Sequence, residues 1–134
     1  MISFNDIVYF TQRELQCKCK FNDCPKINFA EGFEEQLLKY RLILGLPMNP
    51  TSVCRCKKHN DNVSNAENSY HRLDHPISKG TCGIDFRFPS IEYLVKALTV
   101  AELLGWSVGV NWRLNFIHTD RRADYGQPKQ YFPY

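Results

Sequence analysis

The chain has 134 residues, of which 43% are hydrophobic and 23% charged, and a formal net charge of +3, which fits a single domain over residues 1–134 with a modest core. It contains no run of five Lys or Arg residues, which argues against a dedicated nucleic-acid-binding protein. It contains no apolar stretch of roughly eighteen residues, which argues against a transmembrane helix.

The first part of the chain combines irregular segments with one clear helix. Residues 6–16 are expected to form a lead-in that contains a short amphipathic turn. Residues 17–28 are rich in Cys, Lys, Asn, Asp and Pro, and this composition favours an irregular loop. Apolar residues recur at helical spacing over residues 31–44, and they are Phe33, Leu37, Tyr40 and Leu44. Gly45 and Pro47 are expected to end this helix.

The middle of the chain predicts two short strands separated by a polar segment. Residues 51–54 are predicted as the first strand and residues 82–88 as the second. Between them, residues 57–68 are rich in Asn and Asp and are expected to form turns.

The last part of the chain predicts a helix followed by two strands. The helix begins at Ser90, ends at Gly105, and has apolar positions at Ile91, Leu94, Val95 and Leu98. Residues 106–112 and 114–119 are predicted as strands with a turn between them, followed by an aromatic and basic tail. We therefore expect an α+β fold, in which a small antiparallel sheet packs with two main helices in a single, monomeric domain.

Two histidines and one aspartate are the strongest candidates for chemistry. His71 ends the polar loop, whereas Asp85 and His118 lie on predicted strands. Two imidazoles and one carboxylate are the usual protein ligands of a catalytic zinc ion, which keeps its fourth position for water. His59 lies in a polar stretch and is expected to be solvated.

Six cysteines allow more than one interpretation, and they are Cys17, Cys19, Cys24, Cys54, Cys56 and Cys82. An even number in a small domain can indicate disulfides, but the N-terminus lacks signal-peptide features, which predicts synthesis in a cytoplasm and reduced thiols. Two tight C-x-C pairs can also clamp a structural zinc. A second zinc held by Cys17, Cys19, Cys24, Cys54 and Cys56 therefore stands beside disulfides or free thiols as an alternative.

Five short motifs follow one another in a distinctive order. They are Ser52-Val53-Cys54-Arg55-Cys56, Asn60, Ser69-Tyr70-His71, Gly83-Ile84-Asp85 and Phe116-Ile117-His118-Thr119-Asp120. Together with the cysteine-bearing segment 13–19, they resemble the zinc D-Ala-D-Ala carboxypeptidase family, and especially its small phage-type members that cut bacterial cell-wall peptides. The resemblance spans nearly the whole chain.

The resemblance implies a zinc peptidase in which zinc-activated water attacks an amide of peptidoglycan. It implies that His71, Asp85 and His118 bind the metal. It implies that Arg55 contacts a substrate carboxylate or carbonyl and that Ser69 holds the substrate or the His71 loop. It further implies a phage protein made in the bacterial host cytoplasm that acts on the cell wall or in the virion, with peptidoglycan peptides as partners.

Three features depart from the family pattern, and the first is that Gly83, preceded by Cys82, occupies the small-residue position two before Asp85. Thirteen residues separate His71 from Asp85, and the extra segment is expected to loop out without moving the ligands. Asn115, which we place on the substrate side, stands where many members carry an acidic general base. The replacement bases that we consider are Asp120, then His75, then Asp74. Asp120 can alternatively orient a metal ligand, because it follows His118 by two residues on a strand.

Asn115 also supports a second hypothesis, in which the fold is a catalytically impaired, zinc-stabilised binding or structural module of a phage particle. A third hypothesis is a cysteine-based zinc module for protein interaction. Aromatic residues near the C-terminus can form a sugar-stacking platform, but we expect them to close the core and fix the tail, and they are Trp106, Trp112, Tyr125, Tyr131, Phe132 and Tyr134.

Overall fold

The computed structural model describes residues 1–134. The helices are α1 (Gln12–Leu15), α2 (Phe33–Leu44), α3 (Lys57–Val63) and α4 (Ile91–Leu104), with a 3-10 turn at Arg122–Tyr125. The strands are β1 (Ile2–Phe4), β2 (Ile7–Phe10), β3 (Pro50–Ser52), β4 (Gly83–Arg87), β5 (Ser107–Asn111), β6 (Phe116–Asp120) and β7 (Tyr131–Pro133). The predicted α+β class is confirmed.

The strands form two sheets. Strands β1 and β2 form an antiparallel hairpin whose turn residues Asn5 and Asp6 have φ values of 50° and 65°. A two-residue hairpin turn with positive φ at both positions matches the twist of its strands. The main sheet has the order β3-β4-β6-β5-β7. Its first four strands pair antiparallel, and β7 adds a parallel edge next to β5.

Helix α2 supplies the centre of the core. The four apolar residues that predicted this helix are all fully buried, and they are Phe33, Leu37, Tyr40 and Leu44. The ring of Tyr40 lies 5.2 Å from Trp106 and 6.0 Å from Phe86 between centroids. Its hydroxyl donates a hydrogen bond of 2.7 Å to the carbonyl of Ala97 on α4. Tyr40 therefore joins both main helices to the sheet without leaving its polar atom unpaired.

Helix α4 is confirmed, and two of its four predicted apolar positions, Leu94 and Leu98, pack in or against the core, whereas the other two do not. Its buried residues are Tyr93, Leu94, Ala97, Val100 and Ala101. Ile91 and Val95, which were expected to face inwards, are 61% and 58% exposed. Ala97 and Ala101 are fully buried, and the carbonyl of Ala97 accepts the hydrogen bond from Tyr40, which places this face of α4 towards α2.

Helix α3 occupies part of the segment where only turns were predicted. Its sequence lacks apolar periodicity, so the signal for the helix lies at its ends. The thiol of Cys56 caps the first turn by accepting from the backbone N–H of His59. Asn60 is fully buried and donates a hydrogen bond of 2.8 Å to the carbonyl of Ala66. Capping and tertiary contacts thus stabilise a helix that pattern alone does not reveal.

The segment between His71 and Asp85 packs into the fold instead of looping out as expected. Leu73, His75 and Ser78 are buried within it. Asn28 donates hydrogen bonds from its side-chain amide to the carbonyls of Leu73 and Lys79. The longer segment therefore adds to the core. None of the helices combines the length and apolar character required to cross a membrane.

Candidate metal centre

Strand register places two of the predicted ligands side by side. Asp85 at the centre of β4 and His118 at the centre of β6 are direct partners in the antiparallel ladder. Directly paired residues project their side chains from the same face, with Cβ atoms about 5 Å apart. His71 lies in the loop before β4, and this loop is fixed by a 2.9 Å backbone hydrogen bond from Cys82 to Tyr70. The fold therefore brings the three predicted ligands together.

The three ligand atoms form a triangle of the size of a metal coordination sphere. His71 Nε2 lies 3.0 Å from Asp85 Oδ1 and 3.1 Å from His118 Nδ1, and the latter two atoms are 2.9 Å apart. In a tetrahedral zinc site with bonds of about 2.0 Å, the ligand atoms are about 3.3 Å apart. All three residues are buried. This metal triangle of His71, Asp85 and His118 could hold one metal ion after small outward adjustments.

In each histidine, the outer ring nitrogen points away from the triangle and the inner one faces it. The hydrogen bond of the outer nitrogen determines whether the inner nitrogen carries a lone pair. His71 Nδ1 lies 2.7 Å from the Val53 carbonyl, and His118 Nε2 lies 2.7 Å from Asp120 Oδ2. Since carbonyl and carboxylate oxygens only accept, each outer nitrogen donates its proton and each neutral ring turns a lone pair towards the triangle. Two lone pairs and a carboxylate oxygen then face one another, and a cation between them is required to offset their repulsion.

With protons as the only cations, His118 carries the positive charge of the triangle. Burial disfavours its charged form, but hydrogen bonds with Asp120 and Asp85 outweigh burial and raise the pKa of His118 to about 9. Burial lowers the pKa of His71. Burial opposes ionisation of Asp85, but the two histidines outweigh it and hold the pKa of this carboxyl well below its usual range. A metal ion entering the triangle therefore has to displace a proton from His118.

The second carboxylate oxygen of Asp85 is bound from two sides. Arg55 Nη2 lies 3.4 Å from Asp85 Oδ2, and the Tyr134 hydroxyl donates to the same oxygen at 3.2 Å. Arg55 also donates to Ser52 at 2.9 Å and to Asn60 at 3.4 Å. A guanidinium group has five N–H donors, so these three contacts leave two for another acceptor. Arg55 thus orients a ligand and retains donors for a substrate oxygen.

Asp120 lies behind His118, on the side away from the metal triangle. Besides His118 it binds Arg122, which donates from Nη2 to Oδ2 at 2.7 Å and from Nε to Oδ1 at 2.9 Å. Burial opposes its ionisation, but Arg122 and His118 hold the pKa of the Asp120 carboxyl well below its usual range. Of the two roles that the sequence left open, orienting a ligand fits this geometry and acting as general base does not.

The other two candidate bases are engaged in the loop that precedes β4. His75 Nε2 lies 3.1 Å from the Asn68 carbonyl, and its Nδ1 accepts from the backbone N–H groups of Ile77 and Ser78. Both ring nitrogens of His75 therefore organise the loop instead of facing the triangle. The Asp74 side chain is 60% exposed and pairs with Arg72.

The two remaining predicted substrate-binding residues, Ser69 and Asn115, differ in their position relative to the metal triangle. The Ser69 hydroxyl accepts from the backbone N–H of His71 at 3.3 Å, so it holds the loop of that ligand, and it also lines a neighbouring cavity. Asn115 is exposed in the turn between β5 and β6, with a φ of 56°. Asparagine tolerates this left-handed conformation better than most residues, which accounts for it as a turn residue. The predicted substrate contact of Asn115 gains no support from its position.

Two cavities flank the metal triangle. One, of about 210 Å³, borders His118 and has an aromatic and polar lining that includes Tyr70, Arg122, Phe132 and Tyr134. The other, of about 250 Å³, borders Asp85 and has a more basic lining that includes Lys18, Arg55 and His59. Tyr134 stacks on the His118 ring with centroids 4.8 Å apart. Its hydroxyl reaches Asp85, so this side chain lies between the two openings.

Two residues near the triangle were assigned other roles from the sequence. Tyr134 was expected to fix the tail, and its contact with the site depends on β7, for which no local pattern exists. His59 was expected to be solvated, but it lines the cavity next to Asp85. It lies in the first turn of α3, whose N-cap Cys56 directly follows Arg55, and no sequence pattern marked it as part of the site. Burial, Arg55 and Lys26 lower the pKa of His59.

The cysteines are free and divide into two groups. Cys17, Cys19, Cys24 and Cys56 converge on one point and could hold a metal ion. Cys54 and Cys82 do not join them, because both pack in the hydrophobic core.

No protein-family model, no curated protein and no solved structure matches the chain.

Proposed function

We propose that the chain is a zinc-dependent peptidase that hydrolyses peptide bonds of bacterial peptidoglycan. The observation that carries this proposal is the buried metal triangle, in which two imidazole lone pairs and one carboxylate oxygen point to one position. Structural zinc sites usually have four protein ligands, whereas catalytic sites have three and keep one position for water or substrate. The cell-wall substrate is supported by the order of the sequence motifs.

The residues around the triangle have different proposed roles in the reaction. Bound zinc supplies a Lewis acid that polarises a carbonyl group and lowers the pKa of water. Asp120 and the Val53 carbonyl hold the two imidazoles in the ligating tautomers. Arg55, with two donors remaining, is proposed to bind a substrate carboxylate or the oxyanion that develops during hydrolysis.

The charge around the triangle favours an acidic peptide. Lys18, Arg55 and His59 line the cavity beside Asp85. Peptide stems of bacterial walls carry free carboxylates, which complement such a lining. The opposite cavity presents the Phe132 and Tyr134 rings to apolar parts of a peptide, such as alanine methyl groups.

His59 is the proton acceptor that the geometry favours. Asp120, His75 and Asp74 are all bound elsewhere, whereas His59 borders the same cavity as Asp85. Its lowered pKa keeps the imidazole neutral near pH 7, the form that accepts a proton. Replacing His59 by Gln is expected to lower kcat while zinc content stays unchanged.

A catalytically impaired binding or structural module of a phage particle is the second candidate. The position of Tyr134 favours it, because the ring lies against His118 and the hydroxyl binds Asp85 at the mouth of the site. The exposed position of Asn115 favours it as well, since no acidic side chain replaces the missing base there.

Turnover on cell wall separates the two candidates. We would measure zinc content by elemental analysis and the release of new amino groups from purified peptidoglycan and from synthetic stem peptides. Wild-type protein and the Asp74→Asn control, whose altered side chain is exposed, are expected to hydrolyse both, and His118→Ala is expected to lose hydrolysis together with zinc from the triangle. Zinc-loaded wild-type protein without turnover would support the binding module. Full hydrolysis by His118→Ala would end the peptidase proposal.

A further inference from the structure

We propose that Cys17, Cys19, Cys24 and Cys56 bind a second, structural zinc ion. This cysteine cluster is separate from the metal triangle. Its four sulfur atoms all lie within 4.8 Å of one another. In a tetrahedral zinc site with Zn–S bonds of about 2.3 Å, the sulfurs are about 3.8 Å apart. The cluster therefore needs only a small contraction to surround one ion.

Every sulfur of the cluster accepts a hydrogen bond from an N–H group. Backbone N–H groups of Cys56, Lys26 and His59 lie 3.3, 3.3 and 3.4 Å from the sulfurs of Cys17, Cys24 and Cys56. The ammonium group of Lys26 lies 3.2 Å from the Cys19 sulfur. A neutral thiol needs no donor, but a thiolate is stabilised by each of them. The hydrogen-bond donors around the cluster therefore favour the thiolate form of its cysteines.

The closeness of the four sulfurs matters once they ionise, because thiolates within 4.8 Å of one another repel. A divalent cation at their centre removes this repulsion, and thiolates are the ligands that zinc selects.

Disulfides explain the arrangement less well. A disulfide joins sulfurs at about 2.0 Å, and two bridges would divide the cluster into pairs. The four thiols are free, and each lies within reach of all three others. Convergence on a common centre is the geometry of a four-thiolate metal site.

The position of the cluster indicates what the ion would do. Three of its cysteines lie on the segment 17–28, which forms no helix or strand, and the fourth caps α3. An ion there would fix this irregular segment to the body of the fold, as structural zinc does in small domains. Cys56 directly follows Arg55, which binds the ligand Asp85. The second site would therefore also hold Arg55 in place.

Cobalt replacement tests the cluster directly on the wild-type chain. The probe is Co²⁺ added to reduced, metal-free protein, because cobalt bound to thiolates gives an intense sulfur-to-metal charge-transfer band in the near ultraviolet, whereas nitrogen and oxygen ligands do not. We expect this band in wild type and in His118→Ala. Its absence from wild-type protein whose six thiols are titratable would overturn the proposal.

Zinc stoichiometry of variants distinguishes this site from the metal triangle. Wild type is expected to bind two zinc ions, and His118→Ala is expected to keep one. Cys56→Ser is expected to keep the other and to lose the cobalt charge-transfer band. Cys54→Ala is the matched control, because this buried cysteine lies outside the cluster, and it should keep both ions. Mass spectrometry that finds disulfides within the cluster of freshly purified wild type would contradict a zinc site.

Discussion

The two candidate metal sites are constructed in opposite ways. Asp85 and His118 of the metal triangle are direct partners on adjacent strands, so the hydrogen-bonded ladder sets their separation. The cysteine cluster draws Cys17, Cys19 and Cys24 from a segment without regular structure. A sheet can hold ligands in position before the metal arrives, whereas an irregular loop depends on the metal for its own geometry. We therefore expect the triangle to be preorganised and the cluster to be ordered by its ion.

The two sites also differ in the hydrogen-bond partners of their candidate ligands. Ligands of the triangle are oriented by second partners, among them Asp120 behind His118 and Arg55 behind Asp85. Ligands of the cluster receive N–H donors, mostly from the backbone. The first arrangement is the one expected of the proposed catalytic site, and the second is the one expected of the proposed structural site.

The largest expected effect is loss of the His118 imidazole. His118→Ala removes the group that lies between two buried carboxylates, Asp85 and Asp120. Leaving buried charges without their partner costs about 3–5 kcal/mol, so the free energy of unfolding should fall by that amount and zinc at the triangle should be lost. Urea denaturation and elemental analysis measure the two effects. Unchanged stability would contradict a charged, preorganised triangle.

Removal of metal by a chelator compares the two sites within one molecule. Amide hydrogen exchange over residues 17–28 should become fast, because these residues have no ladder of backbone hydrogen bonds. Exchange over β4 and β6 should stay slow, since the sheet persists without the ion. Equal loss of protection in both regions would show that the triangle is not preorganised.

Weakening the contact between Asp120 and the candidate ligand His118 should have an intermediate effect on metal affinity. Asp120→Asn removes the negative charge that His118 contacts at 2.7 Å while keeping the shape of the side chain. Loss of such partners typically lowers metal affinity about 10–100-fold, which a chelator competition would measure. Asp124→Asn is the matched control, because Asp124 pairs with Arg121 away from the triangle. Equal affinities of the two variants would argue against the orienting role of Asp120.

The affinity of the triangle for zinc should depend on pH. Since the pKa of His118 is raised to about 9 by Asp120 and Asp85 against the effect of burial, the metal has to displace one proton below that pH. Affinity should therefore increase about tenfold per pH unit from about pH 6 to pH 9 and then level off. Calorimetric titration of Cys56→Ser isolates the triangle. An affinity that is constant over this range would show that no proton is displaced.

The smallest expected effect concerns Tyr134. Tyr134→Phe removes the hydroxyl that donates to Asp85 at 3.2 Å but keeps the ring that stacks on His118. A hydrogen bond of this kind contributes about 1 kcal/mol, so zinc affinity should fall about fivefold. Tyr131→Phe is the control, because Tyr131 is exposed on β7, the strand that ends just before Tyr134. A gain in hydrolysis by Tyr134→Phe would indicate that the side chain obstructs the site.

Local periodicity made the main elements predictable. Helix α2 follows from the spacing of Phe33, Leu37, Tyr40 and Leu44, and strands β4 and β6 follow from their apolar composition. Helix α3 and strand β7 escaped prediction, because the first depends on a thiol cap and a buried Asn60 and the second on pairing with β5. The grouping of Cys56 with the first three cysteines also depends on contacts between segments distant in the chain.

The sequence by itself determined the α+β class and predicted the three candidate ligands, because helix periodicity and the motifs can be read directly from the chain. Tertiary structure alone decided the orientation of those ligands, the position of Asp120 behind His118, and the place of Tyr134 at the site. It also separated Cys54 from the cysteine cluster. These features arise from strand register and side-chain packing, which join residues far apart in sequence and leave no local pattern.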